Sequence, residues 1–154
     1  MSLAKIVSGG QTGVDRAALD AALTLKIPCG GWCPHGRLAE DGVIAPAYPL
    51  RETPSADYAE RTEWNVRDSD GTLILTRGEP TGGTAMTVDF ARRWRRPCLV
   101  LDLDRRPAPE QVRVWAQAER VRVLNVAGPR ESKQPGIYVT ARDFLRRLLR
   151  HKCG

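Results

Sequence analysis

"KIVSGGQTGVDRAALDAA", residues 5–22, runs from a short apolar stretch through a glycine pair into a helical pattern. A strand that meets a helix through a Gly-rich turn opens a βα unit, and such turns are where proteins hold phosphates. The turn has no "GK[ST]", which excludes a P-loop. Gly10, Gln11, Thr12 and Gly13 supply only part of G-x-G-x-x-G, with Ser8 where the first glycine belongs. The acidic residue that would hold a ribose at the end of the second strand is also missing. What remains is a glycine-lined approach to the N–H groups of a helix start, with Gly9 beside it and Thr12 as the expected N-cap. Such a turn attracts an anion without a lysine. In the first helical turn, either Asp15 satisfies the helix dipole and Arg16 lies out on the surface, or Arg16 forks onto that anion with Asp15 fixing its orientation or accepting from a ligand hydroxyl.

The rest of the chain repeats the alternation. "AKIVS" (4–8) reads as a strand, followed by a helix from about Thr12 to Leu25. "PCGGWC" (28–33) is a weaker strand, and "SADYAERTEWNVRDS" (55–69) a helix with Ser55 as N-cap. "GTLILT" (71–76), an unbroken apolar run, is a strand buried on both faces. A helix over Gly83–Trp94, a strand over 97–103, a helix over 109–120, a strand over 121–127 and a closing helix over 138–150 complete the series. In that last helix Phe144, Leu145, Leu148 and Leu149 form an apolar stripe opposite Arg142, Arg146, Arg147 and Arg150. These elements predict an α/β fold: one Rossmann-like domain over residues 1–154, its mostly parallel sheet of about five or six strands flanked by helices on both faces. The irregular stretch 34–54, rich in Pro and Gly and anchored by Trp32 and Tyr48, reads as a functional loop.

In an open α/β sheet, ligands bind outside the carboxyl ends of the strands. The connections there are "SGGQTGVDR", "PHGRLAEDG", "RGEPTGGTAMT" and "GPRESKQPG", all Gly-containing and bearing Ser, Thr or Arg. At the other edge, "LKIP", "WRRP" and "AERV" are plain. Gly82, Gly83 and Thr84 give a second helix start able to receive an anion. Asp70, ahead of the central strand at the far edge, is expected to order a turn there.

Nothing pairs a nucleophile with a base at motif spacing, and His35 is a lone loop histidine, so the residues argue for binding and not for chemistry. Cys29 and Cys33 stand four apart with His35 two further on. Structural zinc takes two ligand pairs and the second is missing, so these read as reduced cysteines with no metal. The chain is 42% hydrophobic and 27% charged, which places it among globular proteins. The net charge of +6 suits anionic small molecules. Its arginines lack the interleaved aromatics of a base-stacking platform, so nucleic acid is not expected. No apolar run reaches the ~20 residues of a membrane span, and the N-terminus shows no signal-peptide core, so the expected location is the cytoplasm.

"GGQTGVDRAALDAA", "GWCPHGRLAEDG", "YPLRET", "WNVRDSDGTLIL", "GGTAMT" and "NVAGPRESKQPGIY", spread over residues 5–147, resemble the molybdenum cofactor carrier proteins. That family is similar in fold to the lysine-decarboxylase-like "LOG" proteins, Rossmann-like domains that handle nucleotide-derived ligands. The resemblance implies storage or delivery of the molybdenum cofactor (molybdopterin) or a related phosphorylated small molecule by a homo-oligomer, dimer or tetramer. It implies molybdoenzymes or cofactor-synthesis proteins as partners. Carried onto this chain, the ligand-binding candidates are Gly9, Gly10, Gln11, Thr12, Gly13 and Arg16, then Gly36 and Arg37, then Gly82, Gly83 and Thr84, and finally Ser132 and Lys133. The competing reading is a LOG-like phosphoribohydrolase, or a sensor of a nucleotide-derived ligand. LOG enzymes carry "PGGxGTxxE", whereas "PTGGTAMTVD" here lacks one glycine and has Thr87 where the glutamate would fall. That departure argues against hydrolysis.

Overall fold

The computed structural model describes residues 3–150; His151 and Cys153 lie outside them. Nine strands and five α-helices follow in order: β1 (Lys5–Val7), α1 (Val14–Thr24), β2 (Cys29–Gly30), β3 (Trp32–Cys33), β4 (Leu38–Ala39), β5 (Gly42–Val43) and β6 (Arg51–Glu52). Then come α2 (Tyr58–Arg67), β7 (Gly71–Thr76), α3 (Gly82–Arg93), β8 (Cys98–Asp102), α4 (Pro109–Ala118), β9 (Val123–Ala127) and α5 (Ile137–Arg150). Five of the strands form one parallel sheet in the order β2-β1-β9-β7-β8. Counted from β9 as the first strand, this order is 3-2-1-4-5, the doubly wound arrangement. The chain therefore begins at the second strand of that pattern and supplies its first strand last.

The Gly71–Thr76 strand is buried at every position, as its apolar run requires in a strand with neighbours on both sides. Helices α1, α4 and α5 pack on one face. There Phe144, Leu145, Leu148 and Leu149 of α5 join Ile6, Leu73 and Leu124 of the sheet in the main core. Burying each such side chain stabilises the fold by about 1.5–3 kcal/mol. On the other face α2 and α3 meet through Val66, Phe90 and Ala91. Asp70 orders a junction as expected, its Oδ2 accepting the N–H groups of Arg122 at 3.1 Å and Val123 at 2.8 Å.

Four local expectations are corrected. Helix α1 starts at Val14 behind Gly13, so Thr12 is not its N-cap. Helix α2 is capped by Asp57, whose carboxylate accepts the Ala59 N–H at 2.9 Å, and not by Ser55; Ser55 Oγ instead accepts the Asp57 N–H. The 28–33 strand is two strands, broken at Gly31. This residue has φ +131°, and a Cβ on it would stand 2.3 Å from the Ser8 carbonyl oxygen, so the chain leaves the main sheet there and β3 pairs with β6. The stretch 34–54 is partly regular, holding the β4–β5 hairpin and β6 over a small core of Leu19, Cys33, Ala39, Ile44 and Leu50.

Candidate functional site

A crevice of about 660 Å³ opens at the carboxyl ends of the strands, over the gap between β9 and β7 where the winding of the sheet reverses. Both position and size are those of small-molecule sites in open α/β sheets. Asn125 and Ala127 of β9 form its floor. Gly9 and Gln11 form one wall, the start of α2 a second, the start of α3 a third and residues 128–134 the fourth.

The start of α3 is chemically open. Thr81 is its N-cap residue but makes no capping hydrogen bond. The amides of Gly82 and Gly83 have no protein acceptor among the described residues, so they are orphan donors of a first helical turn. Lys133 stands over them: a Cβ on Gly82 would come 2.8 Å from its Nζ. Thr84, whose hydroxyl has no protein partner among the described residues, completes this corner. Thr87, one turn further, donates from its hydroxyl to the Gly83 carbonyl at 2.9 Å, so no carboxylate occupies that turn.

Lys133 is aimed by the loop that carries it. Gln134 clamps the backbone of Arg77, accepting its N–H at 2.9 Å and donating to its carbonyl at 2.9 Å. Glu131 accepts the Gly136 and Tyr138 N–H groups at 2.6 and 2.9 Å and so closes the start of α5. Lys133 lies between these two anchored residues.

The start of α1 is closed. The loop after β9 lies directly on it, so near that a Cβ on Gly13, at φ +78°, would stand 2.3 Å from the Pro129 carbonyl oxygen. That carbonyl accepts the Val14 N–H at 3.2 Å. The anion at this helix start is the protein's own: Asp15, 4% exposed, pairs with Arg61 at 2.8 Å. Burial pushes the Asp15 carboxyl above the usual range, with Arg61 opposing that shift. Arg61 lies across Gly9, where a Cβ would meet its Nη1 at 1.5 Å, so only glycine leaves room for the guanidinium.

Of the residues expected at the site, Gly9, Gln11, Gly83, Thr84 and Lys133 line the crevice, with Gly82 at its edge. The others are held elsewhere. Arg16 does not fork toward the crevice: its Nε and Nη2 donate to the Gly10 carbonyl at 3.1 and 3.0 Å, and its Nη groups hold Asp41 at 3.0 and 3.2 Å. Gly10 faces Leu50 and Ile44. Arg37 is a strut of the 34–54 stretch, donating to the carbonyls of Ile44, Leu50, Ala45 and Tyr48. The N–H of Gly36 is taken by Glu52 at 2.7 Å. Thr12 and Ser132 both bond to Glu40, Ser132 Oγ at 2.5 Å, so Glu40 ties the hairpin to the loop after β9. His35 is exposed beside Glu52. Cys33 is buried, Cys29 and Cys98 half-buried. Among the described residues no three His, Cys, Asp or Glu side chains converge to hold a metal, and no helix is long and apolar enough to cross a membrane.

The residues that sequence reasoning missed are Arg61, Tyr58 and Asn125. Arg61 and Tyr58 sit in an ordinary amphipathic helix pattern and carried no signal. Asn125, a polar residue inside the apolar strand "VLNVA", did carry one.

Residues 6–149 match the circularly permutated YpsA SLOG family. The crystal structure of a protein from Syntrophus aciditrophicus SB named "Putative molybdenum carrier protein" is 49% identical, covers 96% of each chain and superimposes with a TM-score of 0.91. No curated protein matches the chain. A permuted order is visible in the sheet, where the first strand of the 3-2-1-4-5 order comes last in sequence. By its sequence over nearly its whole length, the chain belongs to the circularly permutated YpsA SLOG family.

Proposed function

We propose that this protein is a binding and carrier protein for a phosphorylated small molecule, held in the crevice with its phosphate at the start of α3. The observation that carries this reading is the donor set at that corner: the Gly82 and Gly83 amides, with no acceptor among the described residues, stand beside the Lys133 ammonium and Thr84. A helix start with a lysine over it suits a phosphate both in charge and in donor geometry. The mixed polar and apolar lining, with Tyr58 on the α2 wall and Asn125 on the floor, suits a heterocycle. The name of the Syntrophus protein, together with the motif resemblance, makes the molybdenum cofactor, a phosphate-bearing pterin, the cargo we propose. Thr87, locked onto the Gly83 carbonyl, offers no carboxylate to assist departure of a base.

Calorimetry with inorganic phosphate, adenosine monophosphate and molybdate tests the corner. Phosphate and the nucleotide are expected to bind, and Lys133→Met to lower their affinity tenfold or more, the scale of a charge-assisted hydrogen bond. No heat, and no rise in Tm at millimolar anion, would overturn the reading. Incubation with the nucleotide should leave it intact; release of free adenine would make the protein a hydrolase.

A further inference from the structure

The two edges of the main sheet are treated differently. At one edge β2 is only two residues long. The chain leaves the sheet right after it, and a Cβ on Gly30 would stand 3.3 Å from the Pro49 carbonyl oxygen. A short, covered strand is a common protection of a sheet edge. At the other edge β8 is five residues long and pairs only with β7 among the described residues. Its sequence, Cys-Leu-Val-Leu-Asp, holds no lysine, arginine or proline to interrupt pairing. An apolar edge without such a guard is a template for another strand.

The register of β8 fixes which of its groups face outward. The Thr72 N–H bonds the Pro97 carbonyl at 2.9 Å, and Thr72 lies opposite Cys98. Residues 97, 99 and 101 therefore turn their backbone groups toward β7, while Cys98, Val100 and Asp102 turn theirs away from it. The N–H and C=O groups of Cys98 and Val100, and the N–H of Asp102, have no partner among the described residues. Side chains alternate in the same way. Leu99 and Leu101 join the main core, and Cys98 packs on the Val66, Phe90 and Ala91 cluster of the other face. Val100 shares that second face with Cys98 and is 40% exposed.

The three outward positions are symmetric about Val100, and this selects a second copy of the chain as the occupant. Laid antiparallel with a two-fold axis at Val100, the copies bond Val100 to Val100 through both backbone groups. Each Asp102 N–H then meets the Cys98 carbonyl of the other copy. The two exposed Val100 side chains face each other and leave water. The ends of the strand are complementary in charge: Asp102 has the exposed Arg96 of the other copy on its diagonal, within reach of so long a side chain. One Nη of Arg96 holds the Arg67 carbonyl at 2.9 Å, which keeps the side chain on the α2 side of the strand. We propose that β8 is the interface of a homodimer in which one sheet runs through both copies. The interface is independent of the crevice and of what the crevice holds.

Sedimentation velocity at about 100 µM protein, with mass action favouring assembly, compares wild type with Val100→Pro and Val100→Lys. Proline removes an outward N–H that β7 does not use, so the fold is retained. Lysine sets two ammonium groups opposite each other at the axis. Wild type is expected at twice the chain mass of 17.0 kDa, and both variants at the chain mass itself. A wild-type tetramer that falls to dimers in the variants also supports the interface. In native-state hydrogen exchange the Val100 and Asp102 amides are expected to be protected in wild type and to exchange about tenfold faster or more in Val100→Lys. The Leu99 amide, which faces β7, is expected to be unchanged. Circular dichroism checks that the variants fold, and Val100→Lys decides alone if the proline variant does not. A monomeric wild type, variants that keep the wild-type mass, or an unprotected Val100 amide in wild type would each overturn the proposal.

Discussion

The starts of α1 and α3 face the same crevice with opposite chemistry. Both follow Gly-rich turns after parallel strands, and both point their N–H groups toward the carboxyl edge. Helix α1 is sealed by the Pro129 carbonyl and by its own buried Asp15, while α3 keeps two amides free beneath Lys133. The difference teaches that a Gly-rich helix start becomes a ligand site only if nothing in the fold reaches it first. In this chain the loop after β9 does both things: its Pro129 end closes one helix and its Lys133 end arms the other.

The largest expected effect comes from unsealing α1. Asp15→Ala leaves the Arg61 guanidinium without its partner in a buried position, so unfolding in urea should show a loss of about 3–5 kcal/mol. An unchanged midpoint would mean that the seal is dispensable and the two helix starts equivalent. Next, Arg16→Ala is expected to cost about 1.5–3 kcal/mol of stability, by releasing the Gly10 carbonyl and Asp41, while phosphate affinity stays the same. Lys133→Met should do the reverse, with affinity down and stability within about 0.5 kcal/mol of wild type. Exchange of these two outcomes would move the charge of the site back to α1.

The smallest effect is a pH dependence. Arg16 holds the Asp41 carboxyl below its usual range; hydrogen bonds from Ser132 and Thr12 do so for Glu40 against the opposing effect of burial. A carboxylate with a lowered folded value contributes stability above the ordinary carboxylate range and loses it as pH falls through the folded value. Acid unfolding should therefore be less steep in Glu40→Gln below about pH 4.5. A slope equal to wild type would mean that the hairpin is not latched through Glu40.

Much of the fold was legible because burial period and turn chemistry are local properties. "GTLILT" can only be a strand covered on both faces, and the stripe of Phe144, Leu145, Leu148 and Leu149 can only turn inward on a helix. The site was legible in part, at Gly83, Thr84 and Lys133, where a helix start and a cation-bearing loop declare themselves. It was not legible at Arg61, whose role depends on Gly9 lying opposite it some fifty positions earlier in sequence. Nor was it legible at Arg16 and Arg37. Both look like ligand arginines in their motifs, yet backbone carbonyls from the 34–54 stretch and the first turn compete for them and win. An arginine beside a glycine turn serves either purpose, and its neighbours in space decide which.

By itself, the sequence determined that strands and helices alternate, that the sheet is parallel, and that its carboxyl edge carries the shaped loops, because each follows from side-chain period and local backbone preference. Only the tertiary structure decided that β9 takes the central place beside β1 and β7. From that placement come the crevice, the closure of α1 and the opening of α3. The physical reason is that strand order and side-chain competition are settled between residues far apart in the chain, where no local pattern reaches.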